Sequence, residues 1–168
     1  MPHASHRLDL ALVPADLTRE LPEHAVDALL GAWRARGWLR LDGGPGPEAD
    51  ALIEGGFKRL WVDRPARLSL YANQQGGFHV SCPSTGGEVA AAFGRATQAW
   101  REGGARALDC PSCGARHALE DMALSPPGAF GRWALILGDC AALHLRPEAH
   151  AALQDALGSM VAVSRRVG

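Results

Sequence analysis

The sequence predicts an α+β fold, in which a mostly antiparallel sheet carries helices packed on one face. Several short segments alternate apolar and polar residues with a period of two, which is typical of strands. Three longer segments repeat apolar residues every three or four positions, which is typical of amphipathic helices. These elements do not alternate regularly as strand and helix, so the pattern favours an antiparallel sheet over a parallel one.

The chain begins with a predicted strand and a predicted helix. Leu8, Leu10 and Leu12 lie on one face of a strand over His6–Val13. A helix is predicted over Thr18–Gly37, with Thr18 as its cap. Its apolar stripe is spaced at i, i+3, i+4 and i+7 and consists of Val26, Leu29, Leu30 and Trp33. The glycine- and proline-rich segment that follows, 42–50, is predicted to be a loop.

Three predicted strands come next. Segments 57–63 and 67–73 flank Pro65 and predict a hairpin. A turn over 73–77 then leads into a strand over Phe78–Cys82. Together these segments predict an antiparallel meander.

The second half of the chain continues the same pattern. A helix is predicted over Glu88–Gly103, and its apolar face consists of Val89, Ala92, Phe93, Ala96 and Trp100. A strand over Phe130–Gly138, a short helix over 146–158 and a closing strand over 160–167 complete the chain. The 168 residues are the length of one domain. We therefore predict a single α+β domain over 1–168.

Composition and charge exclude several classes of protein. The formal net charge is −1, and both signs are mixed along the chain. The sequence has no concentrated basic patch that could neutralise phosphates, so we do not expect a nucleic acid as a partner. There is no apolar run long enough for a membrane span and no signal-peptide pattern at the N-terminus. Four cysteines without such a signal suggest a reducing compartment, and we expect a cytoplasmic protein. Trp38 and Trp61, if exposed near Phe57, would mark a surface for a protein partner.

Two near-repeats carry the candidate chemistry. CPSTGG begins at Cys82 and CPSCGA begins at Cys110, with Cys113 at the fourth place of the second motif. Two cysteines three positions apart can both point into one tight turn, which suits a tetrahedral zinc site. We therefore predict Cys82, Cys110 and Cys113 as metal ligands. Cys140 has no partner at ligand spacing, and it is expected to be a small buried side chain.

The fourth ligand is open on sequence grounds. His79, at i−3 from Cys82, is our first choice, although strand alternation places His79 and Cys82 on opposite faces. His117, four residues beyond Cys113, would reach the site if the turn continued into a helix. Water is the third alternative. A metal-free remnant of a former zinc site also remains open.

Thr85 stands where the repeat would have its fourth cysteine. Thr85–Glu88 reads TGGE and lies just before the predicted helix, so it matches a capping box. In that interpretation the Thr85 hydroxyl accepts a hydrogen bond from a free N–H group of the first helical turn.

The stretch from Phe78 to Leu135 resembles a family of small uncharacterised bacterial proteins that carry two CPxCG knuckles around a helix. The resemblance rests on FHVSCP, the helix, LDCPSCG and PPGAFGRWAL. It implies a zinc-ribbon-like element over about 78–120 within the α+β domain, with ligand positions at Cys82, Cys110 and Cys113. Thr85 departs from this pattern. Some members are labelled sugar ABC-transporter ATPases. This chain has no phosphate-binding loop of the form GxxxxGK[ST], so that activity does not carry over.

Two functions follow as hypotheses. The first is a non-enzymatic binding or assembly module stabilised by a zinc knuckle. The alternative is a thiol–disulfide redox protein in which Cys110 and Cys113 cycle between dithiol and disulfide. That chemistry would favour a helix starting at the first cysteine, because a helix N-terminus lowers the pKa of a thiol.

Overall fold

The structure is a computed structural model that describes residues 7–73, 78–140 and 142–167. The helices and strands, in chain order, are β1 (Arg7–Pro14), α1 (Glu23–Ala35), β2 (Arg59–Asp63), β3 (Ser69–Tyr71), β4 (His79–Ser81), α2 (Ala90–Arg101), β5 (Ala107–Asp109), β6 (Arg116–Ala118), β7 (Ala123–Ser125), β8 (Ala129–Gly131), β9 (Ala134–Gly138), α3 (Pro147–Leu157) and β10 (Met160–Val167). Short 3-10 turns lie at Ala49–Ala51 and Leu119–Asp121. This is an α+β fold with antiparallel sheets, as the sequence predicts.

The chain divides into two compact units. Unit 1 comprises Met1–Gln75 and Gly128–Gly168, and unit 2 comprises the intervening Gly76–Pro127. Unit 2 therefore includes the segment that the sequence marks as zinc-ribbon-like. Among the described helices of both units, none is long and apolar enough to cross a membrane.

Unit 1 is built on a four-stranded antiparallel sheet. The strand order is β10-β1-β9-β2, so β1 and β9 are the inner strands. All five residues of β9 are buried, in agreement with its continuous apolar sequence. Along β1, Leu10 and Leu12 contribute to one buried cluster, whereas Ala11 and Val13 contribute to another. Because side chains alternate between the two faces of a strand, these two clusters show that both faces of the sheet are covered.

Helices α1 and α3 cover the first face of this sheet. They contact each other, and their apolar stripes join the main cluster of unit 1. The predicted stripe of α1 is buried in full, with Trp33 only 1% exposed. The buried face of α1 that the 3.6-residue period predicts is therefore confirmed.

The second face of the sheet is covered by a short strand pair. β3 pairs with β8, and Tyr71 of β3 packs with residues of β1, β9 and β10. The Tyr71 hydroxyl donates a 2.7 Å hydrogen bond to a carboxylate oxygen of Asp63. Half-buried Trp61 packs against the same cluster.

The predicted meander does not form. β2 pairs with β9, β3 pairs with β8 and β4 pairs with β7. Each of the three consecutive strands therefore has a partner that is distant in the sequence. The predicted turn over 73–77 lies largely outside the described residues.

One further prediction about unit 1 is wrong, and one condition that we set is not met. α1 begins at Glu23 after Pro22, and both the backbone N–H and the hydroxyl of Thr18 donate to Asp16 instead of capping the helix. Trp38 and Phe57 are 5% and 7% exposed, so both belong to the core. The exposure of Trp38 near Phe57, on which the suggested partner surface depended, is therefore not found.

Unit 2 contains two short antiparallel strand pairs and one helix. β4 pairs with β7, and β5 pairs with β6. α2 contacts β4, β5 and the Leu119–Asp121 turn. Of the predicted helix face, Val89, Ala92 and Phe93 are buried, and Phe93 makes an edge-to-face contact with Phe78 at 6.3 Å between ring centres. α2 thus lies on these strands through the face that its periodicity predicts.

Candidate metal centre

The first CPS motif forms a tight knuckle. The Cys82 N–H donates to the Gly87 carbonyl at 2.9 Å, and the Gly86 N–H donates back to the Cys82 carbonyl at 2.8 Å. Gly86 has a φ of +74°, a left-handed conformation that suits glycine. Beyond the knuckle, Ser81 pairs with Glu88 in an antiparallel bridge, which closes a small hairpin.

The second CPS motif repeats this geometry. The Cys110 N–H donates to the Ala115 carbonyl at 2.9 Å, and the Gly114 N–H donates to the Cys110 carbonyl at 2.9 Å. Gly114 has a φ of +76°. Asp109 and Arg116 pair across the base of this hairpin, as Ser81 and Glu88 do in the first. The sequence repeat is therefore a structural repeat of two knuckles, which we call the first knuckle (82–87) and the second knuckle (110–115).

The fourth place of each knuckle is also equivalent. In the second knuckle the Ala115 N–H donates to the Cys113 sulfur at 3.4 Å. In the first knuckle the Gly87 N–H donates to the Thr85 hydroxyl oxygen at 3.1 Å. Thr85 thus occupies the position of a ligand cysteine in the repeat, although its side chain is a hydroxyl.

Four potential ligand atoms meet between the knuckles. The sulfurs of Cys82, Cys110 and Cys113 and a ring nitrogen of His117 all lie within 4.8 Å of one another. The Nε2 atom of His117 is 3.1 Å from the Cys113 sulfur and 3.8 Å from the Cys82 sulfur. Cys82 and Cys110 are 1% and 3% exposed. These four residues are close enough to hold a metal ion.

His117 reaches the cluster through strand pairing. It lies in β6, directly opposite Leu108 of β5. Side chains alternate along a strand, so His117 shares a face with Leu108 and therefore with Cys110 two positions further on. The segment after Cys113 is thus the return strand of a hairpin, whereas the sequence argument for His117 required a helix.

His79 lies outside the cluster, contrary to our first choice for the fourth ligand. Its side chain is 81% exposed, and its Nδ1 atom lies 3.5 Å from a carboxylate oxygen of Glu88. Along β4, Val80 and the adjoining Cys82 are buried, while His79 projects from the other face. The alternation of side chains along the strand, which already counted against His79 in the sequence, explains why His79 points away from the cluster.

A partly buried ion pair supports the second hairpin. Arg106, just before β5, donates from Nε and Nη2 to the two carboxylate oxygens of Glu120 at 2.9 and 3.3 Å. Burial by itself would raise the pKa of Glu120, but the hydrogen bonds and charge of Arg106 lower it overall. The pair joins the start of β5 to the turn that follows β6 and so holds the segment bearing His117.

The electrostatic environment differs between two of the thiols. Hydrogen bonds from Thr85, first from its hydroxyl and then from its backbone N–H, lower the pKa of Cys82 to about 6, although burial opposes this shift. The Ala115 N–H acts to lower the pKa of Cys113, but burial and the nearby sulfurs of Cys82 and Cys110 raise it overall. Cys82 is therefore the more readily deprotonated of the two.

The predicted capping box is not formed. α2 begins at Ala90 after Val89, and it has no side-chain cap. Glu88 accepts a 2.7 Å hydrogen bond from the Ala90 N–H, while Thr85 bonds to Gly87 within its own knuckle. Thr85 therefore belongs to the knuckle region and not to the helix.

Cys140 belongs to unit 1 and is not a member of this cluster. It is 5% exposed, and its thiol donates weakly to the carbonyls of Leu8 and Leu137 at 3.5 and 3.7 Å. Burial raises the pKa of this thiol. Its surroundings agree with the expectation of a small buried side chain.

Three sulfurs and one imidazole nitrogen are the donor types that zinc favours in tetrahedral sites. Comparisons with known protein families, curated proteins and solved structures found no match to this chain. The resemblance to knuckle-bearing bacterial proteins therefore rests on the sequence motifs alone.

Proposed function

We propose that this chain is a non-enzymatic binding or assembly module in which unit 2 is folded around one structural zinc ion. The proposed ligands are Cys82, Cys110, Cys113 and Nε2 of His117. The observation that carries the proposal is the meeting of these four atoms within 4.8 Å, on two knuckles of the same backbone geometry. The equivalent backbone geometry of the two knuckles supports a designed metal site over a chance meeting of cysteines.

The donor set favours a structural role over a catalytic one. Catalytic zinc sites commonly use three protein ligands and leave the fourth position to water or substrate. Here four protein atoms converge, so the coordination shell would be complete. Two of the three cysteines are almost fully buried, which limits access to the ion further.

Unit 2 is also a unit that would benefit from a metal. Its four strands have three residues each, and it spans Gly76–Pro127. A unit of about 50 residues buries a smaller fraction of its surface on folding than a larger domain does, and such units often require metals or disulfides. A structural zinc ion contributes about 10–16 kcal/mol of apparent binding free energy in zinc-finger peptides.

The arrangement gives less support to thiol–disulfide exchange. Cys110 and Cys113 lie in a turn between two strands, and α2 ends at Arg101, well before them. Neither cysteine therefore lies at the N-terminus of a helix, which is the feature that lowers the thiol pKa in a typical redox-active CxxC motif.

The proposal is tested by measuring zinc content in the full chain, purified without chelator or histidine tag. We expect one zinc per chain by native mass spectrometry. His117→Ala should weaken zinc binding by at least about 100-fold, because even the loss of outer-sphere contacts costs 10–100-fold. His79→Ala is the matched control, a histidine of the same unit outside the cluster, and it should retain the metal.

Either of two results would contradict the proposal. One is equal zinc loss in the His79 and His117 variants. The other is a wild-type chain that takes up no zinc. If Cys110 and Cys113 of such a chain are alkylated readily at neutral pH without denaturant, the redox function is favoured.

A further inference from the structure

Thr85 has no assigned role in the proposed centre, yet it stands at a ligand position of the first knuckle. Its hydroxyl oxygen accepts from the Gly87 N–H as the Cys113 sulfur accepts from the Ala115 N–H. Its Oγ1 atom also lies 2.5 Å from the Oγ atom of Ser112 in the second knuckle. The side chain is thus fixed between the two knuckles by contacts on both sides.

The hydrogen-bonding capacity of a hydroxyl limits the directions of these contacts. Threonine has one hydrogen to donate and two lone pairs to accept with. The Gly87 N–H can only donate, so it uses one lone pair of Thr85. The other lone pair and the hydrogen of Thr85 stay available for Ser112, so either hydroxyl can donate across this 2.5 Å contact.

We propose that Thr85 is a positioning residue of the metal centre, which joins the two knuckles through its hydrogen bond with Ser112 and stands where the first knuckle would have a fourth ligand cysteine. The inference rests on the proposed zinc site. The hydrogen bond fixes the spacing of the two knuckles that carry the ligand sulfurs, as outer-sphere contacts do for first-sphere ligands. Because the place of a fourth knuckle cysteine is filled by a hydroxyl, the remaining coordination position is left to His117.

The same geometry makes Thr85 the residue that sets the ligand composition. A cysteine in its place would put a fourth sulfur where the repeat has Cys113. The chain would then hold two candidates for the fourth position, the new thiolate and the imidazole of His117. The native threonine removes this competition and favours three sulfurs and one nitrogen.

The test uses cobalt(II) as a spectroscopic probe in the full chain, followed by competition with zinc. Wild type should show tetrahedral cobalt bands with charge transfer from three thiolates. Thr85→Val keeps the shape of the side chain but removes the hydroxyl, and it should weaken metal binding by about 10–100-fold and shift the charge-transfer band. Thr85→Ser should restore both the affinity and the band position.

A matched serine pair tests the proposed hydrogen bond between the knuckles. Ser112→Ala removes the partner of the Thr85 hydroxyl and should shift the charge-transfer band in the same direction as Thr85→Val. Ser84→Ala changes the exposed serine at the same place of the first knuckle and should leave the spectrum unchanged. A shift in the Ser84 variant equal to that in the Ser112 variant would argue against this role of the hydrogen bond.

A ligand exchange tests the position itself. His117→Ala should lose cobalt binding, and the double variant Thr85→Cys/His117→Ala should regain it with four-thiolate charge transfer. Failure to regain binding, or a Thr85→Val protein with wild-type affinity and spectrum, would overturn the inference while leaving the zinc site intact. If wild type takes up neither cobalt nor zinc, the proposed function itself fails.

Discussion

Tyr71 is the single tyrosine of the chain, and it is almost completely buried on the second face of the sheet in unit 1. Burial raises its pKa above the ordinary value of about 10, and its donated hydrogen bond to the negatively charged Asp63 raises it further. The guanidinium of Arg165, 5.5 Å from the ring centre, opposes this effect only in part. The phenol should therefore keep its proton well into the alkaline range.

The ionisation of Tyr71 can be followed without interference from another tyrosine. We expect no tyrosinate absorbance from the folded protein at pH values near 10, and a normal titration in denaturant. Because the folded pKa is the higher one, the stabilising contribution is complete below about pH 10 and is lost above it. The free energy of unfolding should fall by about 1.4 kcal/mol per pH unit in that range.

Tyr71→Phe is the control for this titration, because it should remove the alkaline slope. It also removes the hydrogen bond to Asp63, at a cost of about 1.5–3 kcal/mol. A folded wild-type protein that titrates near pH 10 would show that the phenol is accessible to solvent, against the structure.

At the scale of single residues, the sequence predicted three of the four members of the cluster. Cys82, Cys110 and Cys113 were found because their spacing is local, within two near-identical motifs. His117 could not be chosen over His79 in the same way. Its position depends on the pairing of β5 with β6, and those strands have only three residues each.

The helices offer a test at the scale of secondary structure. Gly94 lies inside α2 and Gly31 inside α1, and a Cβ atom added at either position would meet no atom within 4 Å beyond the adjacent residues and the nearby backbone of its own helix. Glycine in a helix costs about 0.5–1 kcal/mol relative to alanine, because it loses more backbone entropy on folding. Each glycine therefore weakens its own unit without a packing reason.

We expect Gly94→Ala to stabilise unit 2 and Gly31→Ala to stabilise unit 1, each by about 0.5–1 kcal/mol. Hydrogen exchange measured on the zinc-loaded protein should show about two- to fivefold slower exchange of the amides in the substituted helix. Each variant serves as the control for the other unit. Faster exchange in either substituted helix would mean that the alanine methyl group meets an obstacle.

The helices and strands themselves were predicted better than the pairing of the strands. The stripes of α1 and α2 and the buried run of β9 follow from periodicity, which is a local property. The meander failed because β2 joins β9, a strand more than 70 residues later in the sequence. No local pattern distinguishes such a partner from the neighbouring strand.

At the scale of the molecule, the two units should respond differently to loss of metal. Unit 1 has an extended apolar core of its own, whereas unit 2 has short strands and the metal cluster. A chelator should therefore remove hydrogen-exchange protection from α2 and the two knuckles, while β1, β9 and β10 keep theirs. The measurement is hydrogen exchange with mass spectrometry on the intact chain.

His117→Ala, once shown to carry no zinc under the conditions of the experiment, provides the control for the chelator, because it should show no further change when chelator is added. Uniform loss of protection in both units would contradict the prediction. So would unchanged protection in unit 2 after complete removal of zinc.

Unit 2 interrupts the sequence of unit 1, and this order has a consequence for synthesis on the ribosome. All of unit 2 emerges before the inner strand β9, whereas β1 must wait for both of its partners, β9 and β10. Since domains generally form as their chain becomes available, the knuckles can close around zinc while unit 1 is still incomplete. The supply of zinc during translation would then decide whether unit 2 is already folded or still unfolded when the sheet of unit 1 assembles.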